Sequence, residues 1–257
     1  MPKKMKILVT GSSGLIGGIV IRALGEKYDF YGLDRVRLKG GPDIPTSIAD
    51  IYQYDQIKSA FSGMDAVLHL AADASQVASW ESVSHNNLVP TYNVFEASRE
   101  AGVRRVIFAS SNHAVGMLEL EGAARQIRAG KYETLDHRRI PQIDDMVRIR
   151  PDGFYGISKA FGEAMGSYYA DNFGLQVACL RIGTVTKEND PTTNIRMRAT
   201  WMSHRDMAHM IDRCLAVGSL HFEIFYGVSG NKWRFWDTSH AMRFLGYSPR
   251  DNAEDHY

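Results

Sequence analysis

The feature that most constrains this chain is a short glycine-spaced turn, Gly11-Ser12-Ser13-Gly14-Leu15-Ile16-Gly17. It follows directly on an apolar run, Lys6–Thr10, and leads directly into a stretch of helical period, Leu15–Lys27. Glycines at this spacing let the backbone turn tightly and let a pyrophosphate approach without meeting a Cβ. The helix that follows offers free N–H groups and a positive dipole end. Strand, glycine turn and helix in that order therefore predict a dinucleotide site. Its candidate contacts are Gly11, Gly14, Leu15, Ile16 and Gly17.

The rest of the chain repeats the alternation. Phe30–Asp34, Ala66–Ala71, Arg105–Ser110 and Val177–Ile182 read as strands. Asn87–Ala101 and Tyr155–Phe173 read as helices. Continuous apolar strands separated by helices predict an α/β fold, a doubly wound parallel sheet covered on both faces. The expected organisation is a dinucleotide-binding region over 1–183 and a small substrate-binding portion over 184–257, not fully separate from it. Phe222–Val228 reads as a late strand and Thr238–Phe244 as a short helix. Another helix starts near Ser203, where Ser203 and Asp206 fit a capping box in its weaker Asp form. Leu118–Ile149 lacks a steady period and carries Arg125, Arg128, Arg138 and Arg139, so it reads as a solvated surface excursion with a short helix.

Asp34 closes the second strand. A carboxylate there accepts both ribose hydroxyls of NAD and repels the extra phosphate of NADP. Arg35 next to it is what a 2′-phosphate would need, and the acid is weighed as the stronger signal. Asp50 and Ile51 are placed near the adenine, and Leu70, Ala71 and Ala72 as a small-residue wall; the same residues would also serve as turn and packing positions.

Tyr155 and Lys159 stand four apart at the start of a predicted helix and so share a face. An ammonium beside a phenol favours the phenolate and is expected to lower its pKa, which makes Tyr155 a candidate proton acceptor. This pair follows a strand ending Ala109-Ser110-Ser111-Asn112-His113, and strand ends on the carboxyl side of such a sheet face the ligand crevice. Ser111 is the candidate for steadying the reacting oxygen. Asn112 and His113 either touch substrate or are ordinary turn formers. Asn87 either orders the site backbone through a water or packs its helix.

Composition narrows the setting. The 257 residues carry a net charge of +1, so nothing global draws the chain to nucleic acid or an anionic membrane. No charge-free run is long enough to span a bilayer. The basic start, Met1-Pro2-Lys3-Lys4, looks like the opening of a signal peptide, but the apolar stretch after it is short and glycine breaks it. Cys179 and Cys214 lie in apolar segments and read as buried thiols, with a reducing cytoplasm as the expected home. No metal site is expected.

Taken together, the glycine turn, Asp34, Ser111, Tyr155 and Lys159 resemble the extended short-chain dehydrogenases, which include sugar epimerases and dehydratases. The closer likeness, over nearly the whole chain, is to the uronate dehydrogenases. It rests on Phe108–His113, Arg150–Lys159, Arg181–Gly183, Asn194–Met197, Thr200–His204, Trp236–His240 and Phe244–Gly246. The resemblance implies NAD as cofactor and oxidation of a hexuronic acid at its anomeric carbon to an aldarolactone. It implies Arg196 as the group that binds the substrate carboxylate, with Arg198 as a rival. It implies Ser75, Ser111, Asn112, His113, Tyr155 and Thr184 around the sugar, and a homo-oligomer. Thr184 stands where the family commonly has serine, and the segments 118–149 and 184–196 are longer than usual. An aldose or sugar-phosphate dehydrogenase, a nucleotide-sugar epimerase or dehydratase, and a non-catalytic NAD sensor are the competing readings.

Overall fold

The computed structural model describes residues 4–257; Met1–Lys3 of the basic start lie outside them. Seven strands form one sheet: β1 (Lys6–Thr10), β2 (Asp29–Asp34), β3 (Thr46–Ile48), β4 (Ala66–His69), β5 (Arg105–Ser111), β6 (Gln176–Ile182) and β7 (Phe222–Gly227). They lie in the order β3-β2-β1-β4-β5-β6-β7, and every neighbouring pair is parallel. The order reverses between β1 and β4, and that is where a doubly wound sheet opens its crevice.

Strand alternation sends successive side chains to opposite faces. Ile7 and Val9 join Leu68, Ile107 and Leu180 under α1 (Leu15–Leu24). Leu8 joins Val67, Val106 and Cys179 under α2 (Val89–Glu100). Both faces are therefore apolar, and β5 is buried along its whole length. Between β5 and β6 the chain makes a 3-10 run, Asn112–Leu120, then α3 (Gly122–Arg128) and the long α4 (Phe154–Phe173).

The structure departs from the sequence reading in two places. First, α1 stops at Leu24 ahead of Gly25, and α2 is entered through a π-wound turn, Ser84–Leu88. Second, the segment 118–149 is not simply a solvated surface excursion. Ala124, Ile127 and Ile140 are buried with Val115, Tyr226, Phe235 and Trp236 in a separate hydrophobic cluster, and Ile143 makes a parallel bridge to Trp236. Residues after 184 join the same sheet and core. β7 extends the same sheet, and α5 (His204–Ala216) places Met207 and Ile211 in the main core. The helix expected near Ser203 is α5, with the Ser203 hydroxyl accepting from the Asp206 N–H. A short α6 (Ser239–Leu245) follows. Among the described residues no helix is long and apolar enough to cross a membrane.

Candidate active site

Three cavities run in sequence along the carboxyl ends of the strands. The first, about 310 Å³, lies over β1, β2 and β4. The second, about 360 Å³, shares Gly11, Gly14, Leu70 and Ala72 with it and reaches Ser111, Tyr155 and Lys159. The third, about 470 Å³, shares Gln76, His113 and Thr184 with the second and ends at Arg196.

The glycine turn makes the first junction. Gly11 has a left-handed φ of 72°, and a Cβ there would lie 2.7 Å from the Ala71 nitrogen. A Cβ at Gly17 would lie 2.6 Å from the Gly11 carbonyl oxygen. Neither position accepts another side chain without moving backbone. Gly14 caps α1 with no side-chain hydrogen bond, and the first turn holds no acid. The N–H groups at this end are thus uncompensated, as a diphosphate requires. Asp34 lines the same cavity with Asp50, Ile51 and Ala72. One carboxylate oxygen of Asp34 accepts from the Ser13 N–H at 2.9 Å and the other from the Arg35 N–H at 2.7 Å. This fixes the acid while leaving lone pairs for a diol. The residues present fit a dinucleotide.

At the second cavity, the start of α4 delivers Tyr155 and Lys159 beside the end of β5. Lys159 is buried, and its Nζ donates to the Ala109 carbonyl at 2.7 Å and lies 5.3 Å from the centroid of the Tyr155 ring. Burial pulls the Lys159 ammonium down to about 8. Burial also pushes the Tyr155 phenol up to about 12, with the Ser111 hydroxyl working against that rise and the Asp73 charge adding to it. The lowering expected for the phenol is therefore not found in the protein alone, because desolvation outweighs the neighbouring polar groups. Behind Lys159, burial and then the lysine charge hold His69 down at about 3, so its imidazole stays neutral beside Thr10.

Around the third cavity the expected residues divide. His113 lines it and pairs through Nδ1 with Asp152 at 2.7 Å, its ring edge-on to Tyr155. Burial would raise the Asp152 carboxyl, but the His113 hydrogen bond and charge leave it below its ordinary value. Arg196 and Thr184 also line the cavity, and Arg196 donates to the Thr184 hydroxyl at 3.0 Å.

Three of the expected residues do not line these cavities. Asn112 is buried, lines none of the three cavities, and donates to Glu119 at 2.9 Å. Ser75 is exposed and folds back on the Val77 N–H at 3.4 Å, while Ala74 and Gln76 on either side line the cavity. Asn87 does not line the nucleotide cavity; its neighbour Asn86 does. Asn87 instead bonds the backbone of Asp73 and the Ser158 hydroxyl, tying the β4 loop directly to α4.

The sequence reading did not single out Asn86, Gln76, Asp152 or Glu119. Glu119 is an acid inside the apolar stretch Leu118-Glu119-Leu120, and that was the signal available. It is 4% exposed and accepts both Arg196 Nε at 2.6 Å and a terminal Arg196 nitrogen at 2.5 Å.

Comparison with known proteins agrees with this geometry. Residues 7–236 match the model of the NAD dependent epimerase/dehydratase family. The chain is 35% identical to an NAD-dependent glucose-6-phosphate dehydrogenase of Haloferax volcanii, over 97% of this chain and 94% of that one. It is 33% identical to a uronate dehydrogenase of Agrobacterium fabrum, over 97% of this chain and 86% of the relative. The crystal structure of uronate dehydrogenase from Agrobacterium tumefaciens superposes with a TM-score of 0.81 at 31% identity, covering 98% of this chain and 86% of that chain.

Proposed function

The chain belongs to the NAD dependent epimerase/dehydratase family, and from that premise we propose that it oxidises a hexuronate at the anomeric carbon to an aldarolactone. It is an NAD-dependent dehydrogenase, and uronate dehydrogenases are among its relatives over nearly the whole of this chain. The observation that carries the reading is the continuity of the cavities: Ser111, Tyr155 and Lys159 stand where the glycine-turn crevice opens onto the pocket that ends at Arg196.

NAD, when bound, accepts the hydride. Gly11, Gly14 and Gly17 would hold its diphosphate, and Asp34 the adenosine ribose. Tyr155 takes the proton of the anomeric hydroxyl as the carbon–hydrogen bond breaks and the carbonyl forms. Ser111 steadies that oxygen, and Lys159 fixes the geometry from the end of β5 and favours the phenolate when it is charged. His113, oriented by Asp152, bounds the sugar on the far side. Arg196 is the group that faces the acid end of the substrate.

One observation favours a second reading, an aldose or sugar-phosphate dehydrogenase. Arg196 is already paired with Glu119, while Arg125 and Arg128 line an outer cavity of about 290 Å³ with Asn194. A phosphate-bearing sugar would suit those two arginines.

The protein is further read as a cytoplasmic homo-oligomer. Its two cysteines are free and buried, and Val89, Tyr92, Ile157, Tyr168 and Phe173 leave an exposed apolar face on α2 and α4. The deciding experiment is NADH formation across hexuronates, aldoses and sugar phosphates, with NAD and NADP in parallel. Turnover of a hexuronate above the other two classes supports the first reading; turnover of sugar phosphates alone replaces it with the second.

A further inference from the structure

We propose that Glu119 sets this pocket's discrimination between acidic and neutral sugars, because its carboxylate occupies the edge of Arg196 that a substrate carboxylate needs. The proposal rests on the sugar-dehydrogenase reading above, and within it on Arg196 facing the substrate. A guanidinium has five N–H donors in a fixed fork. Here the Nε edge is spent bidentately on Glu119, at 2.6 Å and 2.5 Å. The remaining terminal nitrogen donates to the hydroxyls of Thr184 at 3.0 Å and Thr200 at 3.4 Å. A single well-aimed donor remains, which is too few for a second carboxylate to grip side-on.

Glu119 has partners besides Arg196. It is buried, it accepts from Asn112 at 2.9 Å, and its other oxygen lies 3.8 Å from Arg128 Nε. The neutralised pair presents both donors and acceptors to the cavity. That suits a sugar hydroxyl, which gives one hydrogen bond and takes others, and it repels a carboxylate, which only accepts. A hexuronate therefore binds by moving Glu119 from Arg196 onto Arg128, whereas a neutral aldose binds with Glu119 in place. Arg128 is the landing site that makes the exchange possible.

The test is calorimetric binding of glucuronate and of glucose to the NADH-loaded protein, which can oxidise neither, with NADH formation from NAD recorded separately. Glu119→Gln keeps an acceptor for Asn112 and removes the competing charge. It should tighten glucuronate about tenfold or more, the scale of one charge-assisted hydrogen-bond pair, and shift glucose far less, so that the ratio of the two affinities changes. Arg128→Gln should weaken glucuronate in the otherwise native chain but not in the Glu119→Gln background, a coupling that a merely structural role would not produce. Equal shifts for both sugars, or none, overturn the proposal, and if Glu119→Gln does not fold, Glu119→Asp, which draws the carboxylate back from Arg196, takes its place in both arms. Absence of NADH from every sugar would instead count against the proposed activity, since the binding ratio is read independently of turnover.

Discussion

Lys159 Nζ is hydrogen-bonded to the Ala109 carbonyl at 2.7 Å and so is anchored to the end of β5 rather than to the Tyr155 hydroxyl. The catalytic helix and the strand beside it are thereby locked at one point. The phenol is left in a buried setting that keeps it protonated, at about 12. This division of labour shapes the first two predictions.

Tyr155→Phe should lower turnover by about 10²- to 10⁴-fold, the usual worth of a positioned proton acceptor. NAD affinity should be unaltered, because the ring stays and only the hydroxyl is lost. Single-turnover NADH formation together with NAD titration checks this; near-normal turnover would remove Tyr155 from the chemistry.

The pH profile follows from the two shifts. Tyr155 accepts a proton only as phenolate, and its raised pKa means that the phenolate fraction grows with each pH step across the neutral range. Lys159, held near 8 by burial, supplies the favouring charge only below that pH. So log(kcat/KM) for oxidation should climb from pH 6 and bend over near pH 8. Lys159→Arg, which keeps its charge, should move the bend upward. A profile that falls between pH 6 and pH 8 contradicts the assignment.

Asp34→Ala should weaken NAD by about tenfold, the cost of removing hydrogen bonds to a charged acceptor. It should narrow the preference over NADP, since Arg35 beside it remains. Its own bonds to the Ser13 and Arg35 N–H groups are also lost. Ratios of kcat/KM for the two cofactors measure the effect; an unchanged ratio would place the ribose elsewhere.

Under the site, Glu163 and Arg181 form an ion pair at 2.9 Å, 3% and 2% exposed, with the Ser110 hydroxyl also donating to Glu163. Removing one partner leaves a buried charge without its counter-ion, a cost of about 3–5 kcal/mol. Glu163→Ala should lose stability on that scale in denaturant unfolding, and a double replacement by apolar residues should recover much of it. A single variant as stable as the parent would show that water reaches this pair.

Much of the nucleotide half could be read directly from the chain, because its signals are local. The glycine turn, β1 and the acid ending β2 sit within a few dozen residues of one another, and strand-face periodicity needs no distant partner. β3 was missed because it is a three-residue edge strand, Thr46–Ile48, with little apolar content to mark it. The substrate half was less legible because its geometry is made by contacts far apart in sequence. Arg196 meets Glu119 across 77 positions, and no spacing rule announces such a pair. Asn112 was expected to face the crevice by its place after β5, and the 3-10 run that begins there hands it to Glu119, which itself lines the third cavity. Ser75 was placed by likeness alone, and its loop presents the neighbouring residues.

The bridge between Ile143 and Trp236 has a bearing on how such a protein diversifies. It clasps the segment 118–149 to the tail through a cluster that does not include the strands β1 to β5. Changes of length or composition within 118–149 can therefore be absorbed by the last thirty or so residues, without loosening the grip on the dinucleotide. The outer wall of the pocket is in that sense an exchangeable fitting, free to be recast for a new sugar while the hydride-transfer machinery stays as it is.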